Sequence, residues 1–555
     1  MPKVVIASRK SDLARIQAQS VGAALQKAHP GLEVELLYRE SLGDKNQHDP
    51  LWKMPEKGVF TQDFREDLLA GRIDVVVHSW KDLPTDMGHG TCVIGALPRA
   101  DQRDLLLIKK TTLARGTRSR LKILSSSPRR AYNLSAELLP LLPSSLGVES
   151  LDFADIRGNV PTRIRKTIED ESADGLVLAK AGIDRLLRAP GDEFASMRRE
   201  LREMLEDFRW SVMPLSLNPT AAAQGALALE IREDRPDMER LLKPILCERT
   251  TAQTRIERII LKKYGGGCHQ KIGVSLIDHA FGPVISLRGK TDAGEVLNVH
   301  GVLEDYLRDA ALAIDESLLS AVERREGSAL RWASASNFDA RQTRAACEGS
   351  VFPRTKDTAP KIFDRKDLAV NTERLRLKPL MVARTNALPA NFAPGTDQVI
   401  WTAGVPSWHA LAARGCWVSG TCDSLGEEHE PGHANIEALA PEQFGQFTKL
   451  THETGATSRS GANLATYALV AREGAEADFD ASASWYFWMS GSAFLWAIAR
   501  FPQIKNALHS CGPGNTLKAI LEHVAPINLR VYPNYETWSS QISLVSQEEM
   551  ETPTP

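Results

Sequence analysis

Five short stretches in the first 275 residues set cations beside hydroxyls, and two of them add a carboxylate or a thiol. The first, Ser8-Arg9-Lys10-Ser11-Asp12-Leu13-Ala14, stands where an apolar run gives way to helical spacing. A helix start offers free amides and partial positive charge, so Arg9 and Ser11 read either as a carboxylate site or as a cap beside a solvated arginine. The second, His78-Ser79-Trp80-Lys81-Asp82-Leu83-Pro84, follows the apolar run Asp74 to His78, where open α/β sheets place ligands. A charged carboxylate facing a pocket there stabilises a developing cation or moves protons; a loop ion pair between Lys81 and Asp82 is the plainer reading.

Ser125-Ser126-Ser127-Pro128-Arg129-Arg130 and Arg157-Gly158-Asn159-Val160-Pro161-Thr162-Arg163 bring four guanidinium groups. Planar guanidinium grips a carboxylate with two parallel bonds, each contributing about 1.5–3 kcal/mol, so four of them point to a ligand with several carboxylates. Phosphates or nucleic acid would suit the same cations, but the net charge of −2 and the lack of a basic face or stacking aromatics speak against them. The fifth stretch, Lys263-Tyr264-Gly265-Gly266-Gly267-Cys268-His269-Gln270, puts a cysteine on a glycine-rich loop after a cationic helix. Such a thiol serves as covalent anchor or nucleophile, or else packs as a small apolar residue.

The elements that must position these residues follow from periodicity. Val4 to Ser8 reads as a strand, followed by Leu13, Ile16, Val21 and Leu25 at helical spacing. Phe60, Phe64 and Leu68 recur one helical turn apart before the strand Asp74 to His78, and Gly175 to Ala179 is a third strand. Strands alternating with helices predict an α/β fold. The 555 residues exceed one core, and 43% hydrophobic with 25% charged residues is ordinary globular composition. The expected domains are 1–100 with 211–235, then 101–210, then 236–334 with a last helix Glu304 to Arg325. A linker over 335–374, a further α/β domain over 375–546 and a tail over 547–555 complete the division.

Seven cysteines without a C-x-x-C pair or zinc spacing, and an N-terminus lacking a signal-peptide core, predict a cytoplasmic protein with no metal. Ala481 to Ala499 carries no charge, but Ser490-Gly491-Ser492 at its centre predicts a strand (Trp485 to Met489), a turn and a helix (Ala493 to Phe501) rather than a membrane span.

In order and wording these stretches resemble hydroxymethylbilane synthase, also called porphobilinogen deaminase, from about residue 3 to 325. The family's H-S-x-K-D-x-P stands at His78 to Pro84, its R-G-N-V-x-T-R at Arg157 to Arg163 and its G-G-C at Gly266-Gly267-Cys268. Lys57-Gly58-Val59-Phe60, Ala181-Gly182-Ile183-Asp184-Arg185-Leu186 and Gln224-Gly225-Ala226 before Glu230 match as well. Departures stand at Leu124 and Pro128 in the arginine-pair motif, at Ala223 before Gln224-Gly225-Ala226, and at Gly265, where the family has glutamate.

The resemblance implies two lobes shaped like periplasmic binding proteins and a small α/β domain carrying a dipyrromethane cofactor on Cys268. It implies Asp82 as catalytic carboxylate; Lys81, Ser126, Ser127, Arg129, Arg130 and Arg157 on the cofactor; and Arg9, Ser11, Gln17, Arg163, Arg185 and Gln224 on the substrate. Four porphobilinogen molecules would be joined with loss of ammonia, through a cationic azafulvene, to hydroxymethylbilane. Gly43 to Lys57 is expected as a mobile lid, and a monomer is expected, without nucleic-acid or membrane partners. A two-lobed small-anion binding protein without turnover is the alternative, and it would need neither Asp82 nor Cys268.

Residues 375–546 resemble uroporphyrinogen-III synthase, which acts on the product hydroxymethylbilane. The resemblance rests on Trp488-Met489-Ser490-Gly491-Ser492-Ala493-Phe494, on Ser510-Cys511-Gly512-Pro513-Gly514-Asn515-Thr516, on Tyr532-Pro533 and on the strand Val382-Ala383-Arg384-Thr385. It implies either a fused second activity receiving the product or an inactive remnant.

Overall fold

The computed structural model describes residues 3–40, 62–116, 119–266, 270–323, 330–334, 337–339, 342, 351–427, 433–453 and 462–551. They fall into two compact units of mixed α/β structure, one within 1–276, 286–299 and 314–322, the other within 277–285, 300–313 and 323–555.

In the first unit, Lys3–Arg9 (β1), Glu33–Arg39 (β2), Val75–Ser79 (β3) and Thr91–Ala96 (β4) begin one sheet. Asp104–Lys109 (β5), Arg120–Leu124 (β6), Ser150–Ala154 (β7), Gly175–Ala179 (β8) and Phe208–Val212 (β9) make a second, and Leu227–Arg232 (β10) returns to the first. The orders β2-β1-β3-β10-β4 and β7-β6-β8-β5-β9 are the same arrangement made twice. In each, one strand, β10 or β5, arrives from the other sheet and pairs antiparallel with both neighbours. The chain therefore crosses between the sheets twice, over 97–103 and 213–226.

Burial on both faces explains the unbroken apolar runs. Val4, Ile6, Val75 and Val77 pack with Val21 and Leu25 of the helix Asp12–Ala28, while Ala7 and Val76 pack with Phe64 and Leu68 on the opposite face. Each such side chain contributes about 1.5–3 kcal/mol. The expected lid over Gly43 to Lys57, and Phe60 of the expected helix, lie outside the described residues.

Gly273–Ile277 (β11), Val284–Lys290 (β12) and Val296–Val302 (β13) form a three-stranded sheet. The stretch 236–334, expected as one domain, is shared between the two units. The helix expected over Glu304 to Arg325 is broken into Leu303–Asp309 and Glu316–Glu323; Ala311, at φ +47°, takes the left-handed turn that ends the first.

The second unit also has two sheets. Val351–Phe352 (β14) lies at the edge of one, and Phe363–Asp367 (β15) at the edge of the other. Leu380–Val382 (β16), Ile400–Thr402 (β17), Gly420–Thr421 (β18), Thr448–His452 (β19) and Ala462–Ala471 (β20) extend the second in the order β15-β20-β19-β16-β17-β18. Trp485–Trp488 (β21), Leu508–Cys511 (β22) and Leu529–Val531 (β23) complete the first as β14-β21-β22-β23, all parallel.

The expected linker over 335–374 is thus corrected: its residues 351–352 and 363–367 are edge strands. Strands of two and five residues are too short to show a periodic signal, and β15 is mostly charged. The uncharged stretch Ala481 to Ala499 folds as β21, a turn and the helix Gly491–Arg500. No helix among the described residues is long and apolar enough to cross a membrane.

Candidate functional site

The two crossings in the first unit carry buried charge. Asp104, wholly buried at the start of β5, accepts hydrogen bonds from Arg129 (2.8 Å), Arg130 (2.8 Å), Gln224 Nε2 (2.8 Å) and Asn218 Nδ2 (2.9 Å). Burial alone would raise its carboxyl, but Arg129 and Arg130 hold it far below the usual carboxylate range. A buried charge is tolerable only when paired and fully hydrogen-bonded, and this one is. Glu257, also wholly buried, takes Arg99 in a two-pronged pair (2.7 and 2.9 Å) and the amides of Ala223 and Leu276 (both 2.7 Å). At Asp101 burial again opposes ionisation, but Arg103 and Lys180 win and hold it at about 2.

Around this buried network the expected site residues gather. Val75–Ser79 ends in the turn Trp80–Asp82, so Lys81 and Asp82 sit at the carboxyl end of a buried strand. Lys81 Nζ donates to Gln224 Oε1 (3.1 Å). Burial pulls the Lys81 ammonium down to about 8, with Asp82 opposing and Arg130 adding to the fall. Asp82 is exposed, and its carboxylate makes no hydrogen bond among the described residues. Gln17, buried, meets Ser79 Oγ (3.1 Å) just before the turn.

In the second sheet's loops, Ser127 caps the helix Pro128–Glu137 by accepting from the Arg130 amide. Proline at 128 is harmless because a first-turn N–H has no partner within a helix, and Leu124 simply closes β6 in the core. The Ser126 hydroxyl is unpaired among the described residues. Asn159 caps the helix Val160–Glu169, and Arg163 Nε donates back to the Gly158 carbonyl (2.7 Å). Burial lowers Arg163 to about 10, with Arg130 and Arg157 adding and Asp82 opposing, which puts all four groups in one field. The half-buried Arg157 guanidinium has no hydrogen bond or ion pair among the described residues. Lys81, Arg157 and Arg163 thus gather positive charge near the Asp82 carboxylate, and Ser126 and Arg157 keep donors without a protein partner among the described residues, a set suited to carboxylates.

Other expected ligands are engaged by the protein. Arg129 donates to Asp104, Asn218 Oδ1 (3.2 Å) and the Pro219 carbonyl (2.7 Å), and Arg185 donates to the Gly225 carbonyl (2.7 Å). Gln224 is committed to Lys81, Arg130, Asp104 and the Gln102 carbonyl. Arg9 closes β1 and Ser11 precedes the helix Asp12–Ala28, where the hydroxyl makes no capping bond.

Cys268, expected to carry the cofactor, lies outside the described residues with Gly267 and His269; the loop is described up to Gly266. A Cβ on Gly266 (φ +59°) would stand 3.0 Å from Thr85 Oγ1, so the start of this loop lies against the Asp82 segment. Gly265 has φ +101°, a conformation that the family's glutamate would adopt only with strain, so the departure there is conformationally coherent. Ala223 is the reverse case: φ +65° suits the family's glycine, and here a buried alanine takes it. Sequence reasoning missed Asp104, Asn218, Glu257 and Arg258. The available signal was a charge inside an apolar run (Asp104 before Leu105-Leu106-Leu107-Ile108) and a glutamate beside buried Ile256 and Ile260.

Residues 4–240 match the family described as "Porphobilinogen deaminase, dipyromethane cofactor binding domain". The chain is 34% identical over 307 residues to the porphobilinogen deaminase of Clostridium novyi (strain NT), covering 55% of this chain and 94% of that protein. It is 34% identical over 296 residues to that of Syntrophomonas wolfei, covering 52% of this chain and 87% of the relative. Among solved structures, the periplasmic aliphatic sulphonate binding protein SsuA from Escherichia coli is similar at 14% identity and TM-score 0.23, covering 47% of this chain and 77% of that one; a likeness of that degree carries no weight.

Proposed function

The chain belongs to the porphobilinogen deaminase family, and from that premise we propose that its first unit condenses four porphobilinogen molecules into hydroxymethylbilane with loss of ammonia. The observation that carries the reading is the convergence of Asp82 with Lys81, Arg157 and Arg163 beside the buried Asp104 network. The same groups fit a dipyrromethane cofactor: unpaired donors on Ser126 and Arg157 suit its carboxylates, and the Gly265-Gly266 turn leads to Cys268 as its attachment point. When bound, the cofactor supplies the pyrrole carbon to which each new unit is joined.

The protein's own residues then have distinct work. Arg157, Arg163 and Lys81 hold carboxylate arms by charge and geometry. Asp82, free of protein partners, faces the pyrrole N–H groups and stabilises positive charge as ammonia leaves. Arg129 and Arg185 act from behind, keeping Asp104 and the Gly225 backbone in place. The two sheets of the first unit, with the chain crossing twice, support reading them as two lobes around this site. A binding protein without turnover would have no use for an unpaired carboxylate among cations that already suit an anion.

For the second unit we propose uroporphyrinogen-III synthase activity. What supports it, besides the turn motifs, is that residues at the carboxyl ends of parallel strands from the two sheets come into contact. Arg384, after β16, donates to the Met489 carbonyl after β21 (2.7 Å), and His452 at the end of β19 faces Ser492 (3.5 Å). Such strand ends are the usual ligand position in α/β sheets, and fusion would deliver an unstable product at high local concentration. Full-length protein given porphobilinogen alone should release ammonia and yield, after oxidation, mainly uroporphyrin isomer III. Isomer I alone, unchanged by Arg384→Ala or His452→Ala, would leave the second unit without this activity; no ammonia at all would refute the first.

A further inference from the structure

The Asp82 carboxylate makes no hydrogen bond among the described residues, so its position is set by the backbone that carries it. One side of that turn is fixed by its own sheet and the helix packed on it: the Trp80 amide donates to the Ala226 carbonyl (3.0 Å), and Ser79 meets Gln17 of the helix Asp12–Ala28. The other side is held from outside the sheet, by the helix Glu248–Lys263. Arg258 on this helix donates Nη1 to the carbonyls of Leu83 (3.1 Å) and Trp80 (3.5 Å), and Nη2 to that of Pro84. One guanidinium therefore spans both ends of the segment containing Asp82.

The contact belongs to a stripe. Arg255, Arg258 and Lys262 recur at helical spacing; Arg258 and Lys262 meet the stretch between β3 and β4, and Arg255 meets β4 itself. Arg255 reaches the Val93 and Ile94 carbonyls (3.3 and 3.4 Å), and Lys262 pairs with Asp86 (2.7 Å). The exposed Lys262 pair adds little on its own. The same helix runs on into Gly265 and Gly266, the latter against Thr85. Whatever fixes this helix to the Trp80–Pro84 carbonyls also fixes the separation between Asp82 and the loop that starts at Gly265.

We propose that Arg258 is a positioning residue for the condensation, holding the Asp82 carboxylate in register with the glycine loop; this rests on the reading of Asp82 given above. Lysine cannot reproduce the contact, because its compact ammonium lacks the planar fork that spans separated carbonyls.

The test compares Arg258→Met and Arg258→Lys with Arg255→Met, which loses carbonyl contacts from the same helix away from Asp82. All are purified as full-length protein and measured for intact mass, thermal midpoint, kcat and KM for porphobilinogen. Arg258→Met should keep its bound-cofactor mass and melt no lower than Arg255→Met. Its kcat should fall by about 100-fold with KM nearly unchanged, the cost of displacing a reacting group by about 1 Å. Arg258→Lys should recover only part of that loss, and Arg255→Met should turn over like the unaltered protein. Equal kcat in Arg258→Met and Arg255→Met would overturn the proposal. If the methionine variant does not fold, unaltered kcat in Arg258→Lys overturns it instead. Asp82→Asn is run beside them: normal turnover there sinks the reading of Asp82 itself, a failure distinct from that of the clamp.

Discussion

The two units are built alike and furnished differently. Each sets two sheets together with the chain crossing between them twice, and each turns the carboxyl ends of parallel strands towards side chains from the other sheet. In the first unit those ends meet over buried carboxylates, Asp104 and Glu257, each satisfied by four donors. In the second, glycine- and serine-rich turns stand at those ends with the exposed Arg384 beside them, and the sheet of β21 to β23 packs on an aromatic core of Trp485, Phe487, Tyr535 and Trp538. Low-dielectric surroundings make an ion network costly unless complete, so the first unit's residues are interdependent and their types are constrained. Turns that present backbone amides constrain little beyond glycine, and their sequence signal is correspondingly faint.

The comparison breaks most visibly at Asp82. Asp82→Asn keeps the shape and removes the charge, so kcat should fall by about 10²–10³-fold while the cofactor stays attached. Near-normal porphobilinogen consumption would place the chemistry elsewhere. A smaller effect separates ligand-facing arginines from structural ones. Arg157→Lys and Arg163→Lys should each lower turnover or cofactor assembly about tenfold with little change in thermal midpoint, whereas Arg129→Lys should destabilise the unit by about 3 kcal/mol through the unsatisfied Asp104. If all three behave alike, the division drawn between facing and buttressing arginines is wrong.

That division was not legible in the sequence. Motif wording placed Arg129, Arg157, Arg163, Arg185 and Gln224 in one site, and strand ends were read well: Val75–Ser79 before Lys81-Asp82, and Gly175–Ala179 as a complete strand. Which guanidinium faces inward depends on Asp104 and Asn218, which lie 25 and 89 residues from Arg129 in the chain. No local pattern encodes such a partner. The edge strands β14 and β15 were missed because two and five residues are too few to show alternation. The helix Gly491–Arg500, expected over Ala493 to Phe501, was nearly recovered because its apolar face repeats within one turn.

The smallest effect tests a departure from the family. Ala223 holds φ +65° at a buried position where the left-handed conformation costs a non-glycine residue about 1 kcal/mol. Ala223→Gly removes that strain but frees the unfolded chain by a similar amount, so stability should change by less than about 1 kcal/mol. Ala223→Val should lose well over that through strain and overpacking, seen as a lower thermal midpoint. A stabilising valine would mean that the backbone there is not left-handed.

The central claim, that the first unit works with a cofactor tethered at Cys268, is reached most directly by the intact mass of the full-length protein purified from cells able to make porphobilinogen. The mass should exceed that of the sequence by two condensed pyrrole units, and Cys268→Ser should lack the increment. A bare mass for the unaltered protein, or an increment that survives Cys268→Ser, would contradict it.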